Sequence, residues 1–155
     1  MPIVWEAMRT DISRRQMLLM SALAAAAFSP VGRALAAGSG ASLDAGEMAT
    51  FDKDGIYSGL ADQGVFLIRQ GKRLVAQSAR CTHKGCRLTP SDVGFSCHCH
   101  GSTFALDGRV TRPPARRDLP RFGVHMDGRK HIMVDTGKVY QSAQFGLAGA
   151  FLDVA

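Results

Sequence analysis

The sequence predicts a small all-β domain of stacked antiparallel sheets. Beyond residue 37 the chain shows short alternating or β-branched apolar runs punctuated by glycine. No segment there keeps a long apolar period of about 3.6 residues, so helix is expected to be minor. With 155 residues, 46% of them hydrophobic, the chain has the size and composition of one folded domain. Short strands joined by tight turns favour sheets packed on one another.

Three hairpins account for most of the predicted strands. In the first, residues 65–69 and 73–76 flank a turn at Gln70-Gly71-Lys72. The other two turns contain Asp-Gly, a pair favoured where both central turn positions need a positive φ. These turns are expected at residues 107–108, between strands at 103–106 and 109–110, and at residues 127–128, between strands at 124–126 and 131–134.

The first 36 residues have the pattern of an export leader. A basic segment ends in Arg14-Arg15, and an apolar run over residues 17–28 precedes a small-residue site at residues 34–36. The stretch SRRQML, residues 13–18, resembles the twin-arginine motif of bacterial export signals. Because the run is shorter than the roughly 20 residues of a bilayer crossing, two outcomes are expected: cleavage near residue 36, or retention of residues 17–37 as an inner-membrane anchor helix. Both place the domain in the periplasm.

Composition divides the remaining chain into a linker, a domain and a tail. Residues 37–48 are rich in Gly, Ala and Ser and are predicted to be a linker. The folded domain is expected over residues 49–140 and a C-terminal tail over residues 141–155. After the leader the chain carries 15 basic and 11 acidic side chains, without an aromatic and basic stripe, so nucleic acid is not an expected partner.

All four cysteines and three of the five histidines lie in the 22 residues CTHKGCRLTPSDVGFSCHCHGS, residues 81–102. Two segments, separated by 13 residues, each pair a cysteine with a histidine, as C-x-H and then as C-x-x-H. The four donors at these spacings are Cys81, His83, Cys97 and His100. A disulfide scaffold would spread its cysteines out, and a nucleophilic thiol would need only one. Clustered sulfur and imidazole donors therefore predict a metal centre.

The two segments resemble the ligand loops of the Rieske iron–sulfur family, which read C-T-H-x-G-C and C-x-C-H-G-S. The resemblance covers both loops and, more loosely, residues 62–126. It implies a Rieske-like fold with a small cluster-binding part at residues 80–121 and a [2Fe–2S] cluster. In such a centre Cys81 and Cys97 hold one iron as thiolates, and His83 and His100 hold the other as neutral imidazoles. Two neutral donors raise the potential from about −400 mV in plant-type ferredoxins to about −150 to +300 mV.

The resemblance also assigns the two further cysteines. Cys86 and Cys99 match the disulfide that joins the ligand loops in the high-potential branch of the family, and such a bond suits an oxidising compartment. The rival interpretation is a structural zinc-binding module. Zinc sites usually contain paired C-x₂-C segments, which neither loop offers, and zinc would leave two cysteines unexplained.

Three neighbouring positions bear on potential and partner. Ser102 matches a serine whose hydroxyl bonds the cluster sulfur in high-potential members, which favours the reduced state. Phe104 stands where quinol-oxidising subunits often have Tyr, which predicts a lower potential, although a core residue of the next strand is also compatible. Lys84 stands where such subunits commonly have Leu; it suits a polar or acidic partner or is a solvated surface residue.

Two further features leave alternatives open. His98 takes a position that is typically Pro in the family and is an extra candidate ligand, although spacing favours His100. Residues 112–120 correspond to the family's proline loop, which shields the far side of the cluster. Its arginines form either a docking patch or a solvated loop; they are Arg112, Arg116 and Arg117, followed by Arg121.

The sequence thus predicts one-electron transfer in an exported redox chain, by a carrier or a subunit of an oxidoreductase complex and not by an enzyme alone. Three contexts are consistent with it. A carrier would serve a periplasmic c-type cytochrome. The iron–sulfur subunit of a cytochrome bc complex would oxidise quinol beside cytochrome b and keep its anchor. The small subunit of a periplasmic molybdenum enzyme, such as arsenite oxidase, would serve the molybdenum subunit. Lys84 and the short apolar run argue against the cytochrome bc complex and leave the other two contexts open, with membrane contact only through an uncleaved N-terminal segment.

Overall fold

The computed structural model describes residues 40–154, and the predicted leader or anchor at residues 1–37 lies outside this part of the chain. Two short 3₁₀ helices, Met48–Phe51 and Ser142–Gln144, interrupt a chain that is otherwise strands and turns. From residue 40 to residue 154, no helix has the length and apolar character of a membrane span. The eleven strands of this region are β1 (Ser42–Glu47), β2 (Gly55–Tyr57), β3 (Val65–Gln70), β4 (Arg73–Ser78), β5 (Thr89–Ser91), β6 (Gly94–Ser96), β7 (Thr103–Ala105), β8 (Val110–Arg112), β9 (Arg121–Met126), β10 (His131–Tyr140) and β11 (Leu152–Asp153).

The strands form two antiparallel sheets, which confirms the predicted fold class. The larger sheet runs in the order β1-β10-β9-β4-β3-β2, with β11 added beside β4. The smaller sheet runs in the order β5-β6-β7-β8 and belongs to the segment that carries the cysteines. Rings from the two sheets meet where Phe66 of β3 stacks on Phe95 of β6, with centroids 5.3 Å apart.

All three predicted hairpins are present. Strands β3 and β4 pair from Val65 opposite Ser78 to Gln70 opposite Arg73, which leaves a two-residue turn at Gly71 and Lys72. Strands β7 and β8 pair around the first Asp-Gly turn, and β9 and β10 pair around the second. The third hairpin is longer than predicted, because β10 continues to Tyr140 beyond a register shift.

Two hydrophobic cores lie on opposite faces of the larger sheet. In β3 the side chains of Val65 and Leu67 belong to one core and those of Phe66 and Ile68 to the other, as expected when successive side chains alternate. All four are buried, so this strand is covered on both faces. The second core also contains Cys81 and Cys97, so the larger sheet packs directly under the candidate metal centre.

The prediction of a linker at residues 37–48 is corrected by the structure, because Ser42–Glu47 form β1 at the edge of the larger sheet. Strand β1 pairs with β10, and Leu43 and Ala45 pack on the first core. A composition rich in small residues did not prevent pairing, since a ladder is built from backbone hydrogen bonds and needs only a few inward apolar side chains.

The predicted C-terminal tail at residues 141–155 is also corrected, because it closes the fold. Within it β11 pairs with β4, Ala150 is fully buried, and Val154 packs in the first core. The backbone amide of Val154 donates to the carbonyl of Lys72 at 2.8 Å. These short apolar contacts lack a periodic pattern, which is why composition alone did not indicate them.

Candidate metal centre

The first ligand loop, residues 81–86, is closed by two backbone hydrogen bonds. The amide of Cys81 donates to the carbonyl of Cys86, and the amide of Gly85 donates to the carbonyl of Cys81, both at 2.8 Å. The loop follows the end of β4, and a bridge between Arg80 and Arg87 joins the chain on either side of it. Local backbone bonding therefore fixes the direction in which the C-x-H pair points.

The second ligand loop, residues 97–102, repeats this arrangement between β6 and β7. The amide of Cys97 donates to the carbonyl of Ser102 at 2.8 Å, and the amide of Gly101 donates to the carbonyl of Cys97 at 2.9 Å. Gly85 and Gly101 occupy the same place in the two loops, with φ of 73° and 76°. This left-handed conformation is sterically unfavourable for residues with a Cβ atom but not for glycine.

The structure brings the four predicted donors to one end of the domain. The sulfurs are inside, where Cys81 and Cys97 are both buried free cysteines. The imidazoles are outside, where His83 is half-buried and His100 is exposed. Their rings lie perpendicular to each other with centroids 4.8 Å apart. The two imidazoles are therefore adjacent, and the two free thiols lie in the same hydrophobic core.

A disulfide between Cys86 and Cys99 joins the two loops, with Cα atoms 6.6 Å apart. Its sulfurs lie within 4.8 Å of the Cys97 sulfur. Because the disulfide sulfurs are bonded to each other, they offer no thiolate, and Cys97 is the free donor of this group. The pairing agrees with the one implied by the family resemblance.

His98, the extra candidate ligand, points elsewhere. Its side chain is exposed, with Nε2 3.9 Å from the Cys99 sulfur, and the ring that faces His83 belongs to His100. Burial lowers the pKa of His83, and the neighbouring His100 and Lys84 lower it further. The neutral imidazole, which is the form that binds a metal, is thereby favoured.

The proline loop, residues 112–120, is bonded to both ligand loops. The amide of Ala115 donates to the Ser102 hydroxyl oxygen at 2.9 Å, and the Thr82 hydroxyl donates to the Arg117 carbonyl at 2.5 Å. Ser102 is fully buried. Since its oxygen already accepts from Ala115, its own proton remains for a second acceptor. No sequence pattern singled out Thr82, because a hydroxyl residue beside a cysteine is common.

Gln77 of β4 anchors the proline loop to the larger sheet, a role that was not predicted from the sequence. Its side-chain amide is fully buried and donates to the Leu119 carbonyl at 2.8 Å. Leu119 in turn donates its amide to the Gly108 carbonyl at 2.8 Å. A single glutamine directly after three apolar residues of β4 was the available signal, because a fully buried amide side chain normally has a specific partner.

The remaining predicted positions differ in exposure. Phe104 is 2% exposed and shares the second core with the two free cysteines, as a core residue of β7 does. Lys84, which directly follows His83, is exposed. Arg112, Arg116 and Arg117 of the predicted patch are also exposed. Arg121 is not part of a free patch, because it is half-buried with its guanidinium carbon 4.0 Å from the Phe145 ring centroid.

Comparisons with known proteins identify a family and several relatives. Residues 38–123 match the family model described as Rieske [2Fe–2S] domain. The carotenoid phi-ring synthase of Chlorobaculum tepidum is 36% identical over 103 residues, which cover 61% of this chain and 16% of that protein. A cytochrome b6-f complex iron-sulfur subunit of Synechococcus sp. (strain JA-2-3B'a(2-13)) is 46% identical over 54 residues, which cover 33% of this chain and 31% of that protein. The chain spans less than a third of the length of either relative.

A solved structure is also similar. The cyanobacterial plasma membrane Rieske protein PetC3 from Synechocystis PCC 6803 has 32% sequence identity to this chain and a TM-score of 0.49. The match covers 60% of this chain and 98% of that one.

Proposed function

The chain belongs to the Rieske [2Fe–2S] protein family, and from this premise we propose that it is an exported one-electron carrier between redox proteins. Membership brings a [2Fe–2S] cluster and Rieske-type electron transfer. The observation that carries the proposal is the construction of the centre. Two loops of the same backbone form carry two buried thiols and two adjacent imidazoles and are joined by a disulfide.

The donors present fit such a cluster. We assign Cys81 and Cys97 as thiolate ligands, since they are the two free cysteines and both are buried. We assign His83 and His100 as imidazole ligands, since their rings are adjacent at the surface. The bound cluster supplies a site that takes up and releases one electron at a time.

The surrounding residues would shape how an electron enters and leaves. The half-buried His83 and the exposed His100 would carry the electron between the cluster and the surface, because both imidazoles reach solvent. An imidazole with an exposed outer nitrogen can also exchange a proton with solvent, which suits proton-coupled transfer. Ser102 can donate its hydroxyl proton inward, which would favour the reduced state, and the proline loop covers this buried side from water.

Metal analysis and ligand substitutions test this assignment. Purified protein should contain iron and acid-labile sulfide and give an EPR signal after reduction with dithionite. Cys81→Ser and His100→Ala should abolish the signal. His98→Ala and His125→Ala should retain it, because both are exposed histidines outside the assigned set. Bound zinc without sulfide, or a normal signal in His100→Ala, would overturn the assignment.

A second candidate function follows from the relatives named as cytochrome b6-f iron-sulfur subunits. In that role the chain would oxidise quinol beside a b-type cytochrome. We favour the carrier, with a c-type cytochrome as partner. In the quinol-oxidising role the ammonium group of Lys84, which is exposed here, would be buried in an apolar quinol pocket, and burying an unpaired charge is costly. Purification from membranes separates the two, since a quinol-oxidising subunit should co-purify with cytochrome b and support quinol-dependent cytochrome reduction.

Export and location remain part of the proposal. The twin-arginine-type leader supports a periplasmic domain, either released after cleavage near residue 36 or anchored to the inner membrane through residues 17–37. Mass spectrometry of the soluble periplasmic and membrane fractions should find the mature N-terminus near residue 37 in the first case and residues 1–36 in the second. Holoprotein that leaves the cytoplasm normally in a strain without the twin-arginine translocase would contradict this export route.

A further inference from the structure

Charge is distributed unevenly between the two parts of the domain. The cluster-binding segment, residues 80–121, carries eight basic and three acidic side chains. The rest of the described chain, residues 40–79 and 122–154, carries seven basic and eight acidic side chains. The positive charge is therefore concentrated at the end of the domain that exchanges electrons. An oxidised cluster with two sulfides, two thiolates and two neutral imidazoles has no net charge and does not offset it.

Three cations of this segment lie on the first ligand loop or on the proline loop that is bonded to both ligand loops. Lys84 follows His83 directly in the first ligand loop. Arg117 is held against that loop by the hydrogen bond from Thr82 to its carbonyl, and Arg116 lies between Arg117 and the residue that bonds the second loop. All three side chains are exposed. We refer to Lys84, Arg116 and Arg117 as the basic rim.

Nothing in the described part of the chain neutralises the basic rim. Between residues 40 and 154, the side-chain ion pairs do not include any of its three residues. The nearest acid in sequence, Asp118, is half-buried and accepts a hydrogen bond from the Val110 amide at 2.9 Å. By contrast, Arg87 on the flank of the first loop is ion-paired with Asp62.

We infer that the basic rim is a docking surface for an acidic patch around the redox centre of a partner protein. This inference rests on the proposed electron-transfer function. Opposite charges on two surfaces accelerate encounter and orient the partners, here with the imidazoles facing the acceptor. The event transfers one electron from the reduced protein to an oxidised one-electron centre of the partner, and no covalent bond changes. An anionic lipid surface would also attract the rim, but it cannot accept the electron from the redox centre.

Stopped-flow oxidation of the reduced holoprotein by small reagents of opposite charge tests the rim without a known partner. The rate constant with anionic ferricyanide should fall as salt rises, and that with cationic tris(phenanthroline)cobalt(III) should rise, because the screening length shrinks from about 30 Å at 0.01 M to about 10 Å at 0.1 M. In Arg116→Glu/Arg117→Glu the ferricyanide rate at low salt should drop by on the order of tenfold, and its salt dependence should flatten or reverse.

A matched charge reversal controls for net charge. Lys72→Glu alters an exposed lysine in the hairpin turn at the opposite end of β4, roughly 20 Å along the strand from the first ligand loop. It should change the ferricyanide rate by less than twofold. Equal effects of Lys72→Glu and Arg116→Glu would show that only net charge matters and would overturn the inference. So would salt-independent rates with both reagents.

Electron-transfer rates with cytochromes and binding to lipid vesicles distinguish a partner protein from a membrane as the occupant of the basic rim. An acidic c-type cytochrome should oxidise the holoprotein faster than a basic one at low salt, and the double variant should lose this preference. If the double variant loses only co-sedimentation with vesicles of anionic phospholipid and keeps its cytochrome rates, the rim is a membrane contact and the inference fails. Each variant must keep the EPR signal of the unsubstituted protein, so that a change in rate reports on docking and not on the cluster. Absence of that signal from the unsubstituted protein would instead contradict the proposed function.

Discussion

The close approach of Gly108 to Gln77 gives the sharpest stability prediction. Gly108 lies in the turn between β7 and β8 with φ of 92°, a conformation that L-residues rarely adopt. A Cβ atom placed there would overlap Nε2 of Gln77 and lie 3.0 Å from its Cδ. Gln77 cannot move aside freely, because it is fully buried and its amide holds the Leu119 carbonyl. Gly108→Ala therefore strains the backbone and also breaks the anchor of the proline loop.

The expected loss of stability has two parts. The left-handed backbone costs about 1–2 kcal/mol for a residue with a Cβ atom. Displacing the Gln77 amide leaves a buried carbonyl without its donor, which costs about 1–3 kcal/mol. The sum is about 2–5 kcal/mol, and at roughly 4 °C per kcal/mol the Tm of the holoprotein should fall by about 8–20 °C.

Thermal unfolding against a matched glycine measures the second part alone. Gly71 has φ of 57° in the β3–β4 turn, with nothing within 4 Å of an added Cβ atom. Gly71→Ala should therefore cost only the backbone part, about 4–8 °C. In a Gln77→Ala background Gly108→Ala should cost no more than that. If Gly108→Ala in the unsubstituted background were as mild as Gly71→Ala, the proposed anchoring by Gln77 would be refuted.

Three other outcomes are expected. Phe104→Tyr should raise the midpoint potential by about 20–60 mV if the new hydroxyl donates a hydrogen bond to a ligand sulfur. This range follows because one net hydrogen bond contributes about 0.5–1.5 kcal/mol and about 59 mV is a tenfold change for one electron. An unchanged midpoint in square-wave voltammetry would show that residue 104 does not face a ligand sulfur. Replacing both cysteines of the loop disulfide with serine should cost about 3 kcal/mol in urea unfolding, given a sequence separation of 13 residues, and a loss below about 0.5 kcal/mol would contradict a role in stability. Hydrogen bonds from the Gly46 amide and then from His131 lower the pKa of Asp44. The contribution of this carboxylate to stability is therefore present above about pH 4 and is lost as the pH falls below that value. Asp44→Asn should make the free energy of unfolding fall less steeply at acid pH, and an identical pH profile would exclude this linkage.

The site was more predictable than the edges of the fold. Two short segments contain all the candidate ligands, and each segment closes its own loop through backbone hydrogen bonds five and four residues apart. Local sequence therefore carried most of the information about the centre. Strands β1 and β11 were missed because each is stabilised by a partner strand distant in sequence, and each has too few apolar residues to indicate a strand.

The sequence by itself determined the three hairpins and the all-β class and predicted a donor set, because spacing, turn pairs and apolar alternation are local properties. Tertiary structure decided which histidine faces His83, that Gln77 anchors the proline loop, and that Arg121 packs on Phe145 apart from the exposed arginines. Each of these depends on side chains brought together from separate strands and loops. Such contacts arise from packing two sheets around a shared core, and a linear pattern does not encode the distances between them.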